Sequence, residues 1–206
     1  PEGGIESLIN ALKMAAVSAG VEIQTNAAVS RIIVDGDENG LKATGVELAD
    51  GRKISAIRVI SSADPKRTFL NLVGAKNLEI EFTNRINRLR CDGYVAKLHL
   101  ALSDLPMFTG VEKPCGRMII APEMDAIEFA FDHAKYGEYS DSPVMEILLP
   151  SVKDSTLAPK GCHVLSAHVM YIPHSLKTGW TDHAKEALYQ TLVQTLERYA
   201  PGITKH

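Results

Sequence analysis

The apolar positions of this chain change their period along its length. From Ile5 to Ala16 they recur every three or four residues: Ile5, Leu8, Ile9, Leu12, Ala15 and Ala16. That spacing predicts an amphipathic helix over 5–19, stopped by Gly20. Between 21 and 61 the apolar runs shorten, and turn signals separate them. They predict strands at 21–24, 28–34, 43–48, 52–55 and 57–61. The 35–40 cluster reads as a polar turn, and Asp50-Gly51 as a tight hairpin. Asp64 and Pro65 read as the N-cap and first turn of a helix over 66–73, closed by Gly74.

A helical period returns over 81–90, with Phe82, Ile86 and Leu89 on one side. After Gly93 the period becomes two. Tyr94, Ala96, Leu98, Leu100 and Leu102 alternate with Val95, Lys97, His99 and Ala101, which predicts a long half-buried strand. Further strands are expected at 118–121, 144–149 and 163–171, and helices at 124–134 and 181–199, with Thr181 as the last N-cap. The fold class is therefore α+β. Tight-turned strands end near 61 and longer, helix-separated strands begin near 93. A domain boundary is expected near 74–80, giving domains 1–75 and 76–206.

Composition narrows the function classes. Hydrophobic residues at 45% and charged residues at 23% describe an ordinary globular protein. A net charge of −3 argues against nucleic acid as a partner, and 6% aromatic residues offer no stacking platform for bases. Cys91, Cys115 and Cys162 are odd in number and form no CxxC, so free thiols in a reducing, cytoplasmic setting are expected. The chain starts at Pro1 without the basic and apolar run of a signal peptide. An internal piece of a longer protein is the expectation.

Local chemistry is sparse. His163 and His168 stand five apart on one expected strand and face opposite ways, so no metal site is expected. The turn Ser61-Ser62-Ala63-Asp64 lacks the glycines of GxSxG, which disfavours a hydrolase using Ser62. Gly3-Gly4 reads either as a helix start that receives an anion or as a plain turn. No P-loop and no GxGxxG occurs. Residue spacing alone supports two α+β domains without a self-contained active site.

Several stretches match a known pattern. They are Pro1-Glu2-Gly3-Gly4 with Gly20-Val21-Glu22-Ile23, Ala43-Thr44-Gly45-Val46, and Val59-Ile60-Ser61-Ser62-Ala63-Asp64-Pro65. Ile147-Leu148-Leu149-Pro150-Ser151 and Arg198-Tyr199-Ala200-Pro201-Gly202 extend the match. Together these resemble the middle of phytoene dehydrogenase-like FAD-dependent oxidoreductases. The closer likeness is to the branch that includes the pyridine nucleotide-disulphide oxidoreductase domain-containing proteins. The resemblance implies a partial FAD-domain β-meander with helices over 1–75. It implies an incomplete substrate domain over 76–206, a mostly antiparallel sheet flanked by helices.

The resemblance also implies FAD as cofactor, held mostly outside this chain, with Val29, Ser62 and Ala63 as contacts. It implies hydride transfer from a substrate C–H bond to flavin N5. The implied substrate is small and apolar, with membrane association only through that substrate and no oligomeric state indicated. Tyr94, Lys97 and His99 are candidates because they lie on the strand likened to the substrate-domain floor. Ser103 stands where amine-oxidase relatives carry a lysine, which favours C–H desaturation over amine oxidation. The piece alone is expected to be inactive. The alternative is a non-catalytic binding or interaction module derived from such a domain.

Overall fold

The structure, a computed structural model, describes residues 3–37 and 40–206, with only the backbone of Asp37. Glu38 and Asn39 of the expected polar turn lie outside the described residues, as do Pro1 and Glu2. Two compact units form. One joins residues 3–16 to Asp92–His206; the other is Val17–Cys91. The units therefore do not divide at 74–80. The start of the chain folds with its far end, because the Gly3 and Gly4 N–H groups donate to Thr156 and Asp154. Residues 80–91 stay with the second unit, where Phe82 meets Phe69 edge-on at 4.9 Å.

The second unit holds a three-stranded antiparallel sheet in the order β1(Val29–Asp37), β2(Gly40–Leu48), β3(Lys53–Ser55). The Asp50-Gly51 turn connects the last two as expected: the Gly51 N–H donates to the Leu48 carbonyl, and Asp50 takes the Arg52 N–H. A π-type helix, Lys66–Gly74, packs its buried Thr68 toward the unit's interior. Asp64 Oδ1 accepts the Lys66 and Arg67 N–H groups, so this cap forms as the sequence predicts. Helix α2 spans Ile80–Asn87, shorter than expected, and buries Ile86.

Two expected strands are absent among the described residues. Segments 21–24 and 57–61 run irregularly and pair with nothing. Ile57 and Ile60 are 97% and 96% exposed. Their apolar, β-branched sequence suits a buried strand, but a strand needs a neighbour to accept its hydrogen bonds.

The other unit is a four-stranded antiparallel sheet in the order β4(Val95–Leu102), β7(His163–Met170), β6(Met145–Leu148), β5(Arg117–Ile120). One face of it, with Leu98, Leu102, Ile120, Met145, Ile147, Leu165, Ala167 and Val169, is buried. Helix α4, Asp182–Tyr199, covers that face with Leu188, Leu192 and Leu196. Thr181 Oγ1 accepts the Ala184 N–H, the N-cap expected from the sequence. Helix α3, Met124–Lys135, buries Ala130 and Ala134. Helix α1, Gly4–Ser18, buries none of its residues; Ile5, Ile9 and Leu12 are 70%, 56% and 63% exposed. The architecture is α+β throughout.

Candidate functional site

The start of α1 is occupied from within the chain. Gly4 N–H donates to Asp154 Oδ2 at 3.1 Å, and Gly3 N–H to Thr156 Oγ1 at 3.2 Å. Asp154 Oδ1 also takes the Thr156 N–H and hydroxyl. The anion that Gly3-Gly4 receives is thus a side chain of the same unit. The Thr156 hydroxyl, then the Thr156, Gly4 and Gly3 N–H groups, hold the Asp154 carboxyl below its ordinary range.

In the Val17–Cys91 unit, the three sequence-predicted contacts lie on exposed or half-buried backbone. Val29 opens β1, an edge strand. The Ala28 carbonyl accepts the Ala49 N–H, and Leu48 N–H turns to Arg52. Carbonyls alternate along an extended strand, so the Val29 N–H and C=O point to the unpaired edge. Ser62 is exposed and makes no hydrogen bond among the described residues. The exposed Ala63 gives its N–H to Ser61 Oγ and lines a cleft of about 310 Å³ with Ile32, Val59, Thr68 and Phe69. Val29 and Ser62 are not part of that lining. The three residues present small side chains and open backbone groups, and Asp64 caps the helix that follows. The chain carries no glycine-rich phosphate cradle of its own.

The open face of the four-stranded sheet carries polar side chains that periodicity alone does not single out. Register places Lys97 opposite His168 and His168 opposite Glu146. Arg117 Nε lies 3.2 Å from Glu146 Oε1, and His168 Nδ1 lies 4.0 Å from the same oxygen. His99 is opposite Ser166, and Ser166 is opposite Leu148. Arg117, Glu146, Ser166 and His168 come from three strands, so only the pairing register reveals them. A two-residue repeat flags each strand's faces but not which strands are neighbours. Tyr94 does not join this face. It precedes β4 on the core side, edge-on to Phe131 at 6.2 Å.

His163 faces the core side. Ser151 Oγ accepts the Val164 N–H and shares a hydrogen bond of 3.1 Å with His163 Nδ1. No carboxylate partners that imidazole among the described residues, and the buried Ser151 serves as a pin between β7 and the 150–152 turn.

Beside the open face lies a groove of about 440 Å³, lined by Ile5 and Leu8 of α1 and by Leu148, Leu149, Pro150 and Leu157. Lys153 stands at its rim. Its size falls in the usual range of ligand sites, about 300–1,000 Å³. Leu148 belongs both to the groove and to the open face. Among the described residues no three His, Cys, Asp or Glu side chains converge as metal ligands, and no helix is long and apolar enough to cross a membrane. Cys91, Cys115 and Cys162 are free thiols.

No family model matches the chain. It is 32% identical over 216 residues to pyridine nucleotide-disulfide oxidoreductase domain-containing protein 2 of Mus musculus, covering 99% of this chain and 37% of that protein. It is 34% identical over 170 residues to the chloroplastic prolycopene isomerase of Daucus carota, covering 80% of this chain and 24% of that one. It is 27% identical over 183 residues to the phytoene desaturase of Neurospora crassa, covering 87% and 29%. The chain thus spans little more than a third of the mouse relative. The solved structure of an oxidoreductase from Methanosarcina mazei shares the fold with a TM-score of 0.64 at 20% identity, over 98% of this chain and 40% of that one. The sequence relatives reach across both units. The chain is thus a homologue of the pyridine nucleotide-disulfide oxidoreductase domain-containing proteins and, at lower identity, of the phytoene desaturases.

Proposed function

We propose that this chain is part of a FAD-dependent oxidoreductase that removes hydride from a substrate C–H bond. The observation that supports this most is the match to the mouse protein along 99% of the chain. FAD, when bound, would supply the acceptor for one hydride, which carries both electrons of the oxidation. The residues of this chain bind and orient. The Val29 N–H and C=O offer edge contacts to the adenine end, and Ser62 and Ala63 offer a small-residue turn beside the dinucleotide. The groove and the sheet face beside it hold the apolar part of the substrate. His168, beside Glu146, stands on that face as the group to receive the departing proton. In this reading the Val17–Cys91 unit corresponds to the rear of a FAD domain and Asp92–His206 to a substrate domain. Three free thiols favour a reducing, cytoplasmic setting.

The test is amide hydrogen exchange on the protein translated from the complete reading frame that contains this chain. Added FAD is expected to slow exchange at Val29 and at Ser62–Ala63. Unchanged exchange at both places, with FAD bound, would overturn these contacts.

A further inference from the structure

The open sheet face has a charge imbalance. Glu146, its one carboxylate in the register rows that contain Lys97 and His99, is already engaged by Arg117 and His168. Lys97 and His99 stand two residues apart on β4, on the same face, and neither has an acidic partner among the described residues. Lys97 also sits directly opposite His168. Lys97 thus faces an imidazole and not a carboxylate, and an anion bound here supplies the acidic partner it lacks among the described residues.

The apolar groove borders the same sheet face through Leu148. Leu148, which lines the groove, is two strands from His99 in a single row, Leu148–Ser166–His99. At one strand spacing per step, that distance is about 10 Å. The groove walls are fixed, because Asp154 and Thr156 pin the first turn of α1 against the 150–157 segment. At the Lys153 end a carboxylate, Asp154, also lines the groove, whereas Lys97 on β4 has no acidic partner among the described residues.

We infer that this face binds an amphiphile: a long apolar chain in the groove lined by Ile5, Leu8 and Leu157, with its carboxylate on Lys97 and His99. The inference deepens the oxidoreductase reading by naming a class of substrate for it. The binding step itself needs no flavin, so it is tested on the 206-residue chain alone.

The probes are palmitate and the alcohol of equal chain length, measured by displacement of a fluorescent fatty acid below the micellar range. Palmitate is expected to bind about tenfold more tightly than the alcohol, a difference of about 1.4 kcal/mol. Lys97→Gln is expected to bring palmitate down to the level of the alcohol and to leave the alcohol unchanged. Leu8→Asp, at a half-exposed position (47%), is expected to abolish both without unfolding the chain, as circular dichroism would verify. Equal affinity for acid and alcohol would overturn the inference, as would binding of neither. Loss of the acid preference in Lys153→Gln but not in Lys97→Gln would overturn the placement of the carboxylate. None of these outcomes bears on whether the complete protein binds FAD.

Discussion

The Asp154 carboxylate closes the N-terminus of α1 by accepting the Gly4 N–H across 150 residues of chain. A helix start exposes donors that water, a ligand or a side chain must satisfy. Here the side chain comes from the far end of the same unit, and it is what joins the first residues of the chain to the four-stranded sheet.

That contact sets a pH dependence. The Asp154 carboxyl is held below its ordinary value by Thr156 and by the Gly4 and Gly3 N–H groups. A lowered folded-state pKa adds stability above the unfolded pKa, and that stability is lost as pH falls through the folded value. Docking of α1 is expected to persist at neutral pH and to loosen below the ordinary carboxylate range. Asp154→Asn is expected to show the loosened state at neutral pH. Exchange rates of the Gly3 and Gly4 amides against pH check this; identical profiles in both proteins would contradict it.

The sheet core depends on Leu165, which is fully buried between β4 and β6. Leu165→Ala is expected to cost about 2–5 kcal/mol through lost burial and a residual cavity. Urea denaturation reads this directly. A loss below about 1 kcal/mol would mean that the core closes over the gap.

Gly45 faces the backbone of β3. A Cβ there would lie 2.3 Å from the Ile54 carbonyl oxygen and 3.1 Å from Ser55 Cα. Backbone cannot yield as a flexible side-chain tip does. Gly45→Ala is expected to destabilise the hairpin by about 1–3 kcal/mol, read as faster exchange at Lys53–Ser55 while the four-stranded sheet is unaffected.

Thr181 caps α4 through the Ala184 N–H. Thr181→Ala is expected to cost about 1 kcal/mol. A thermal melt followed at the helix signal checks it, and Thr181→Ser should retain most of the stability.

The helices and the long strands were legible in the sequence because their signals are local. The α1 period, the Asp64 and Thr181 caps and the alternation from Tyr94 to Leu102 each need only neighbouring residues. The misses have a common cause. Ile57-Arg58-Val59-Ile60 has strand chemistry but no partner strand among the described residues, so the propensity is present and the pairing is not. The Lys97–His168–Glu146 row is invisible along the chain because its members lie on three strands. Gly3-Gly4 left two readings open, and only the return of Asp154 decides between them. The alternation that sets Tyr94 against Lys97 and His99 holds, with Tyr94 just ahead of β4.

The unpaired state of 57–61 has its own consequence. Ile60 is 96% exposed, so Ile60→Asp is expected to change the stability of this chain by no more than about 0.5 kcal/mol. A larger loss would mean that the segment is packed.

The most direct measurement is the flavin content of the protein translated from the complete reading frame, determined by its absorbance after gel filtration. The oxidoreductase account predicts about one FAD per protein for that product and none retained by the 206-residue chain alone, since most of the FAD site is expected to lie outside it. A colourless complete protein that takes up no added FAD would contradict it.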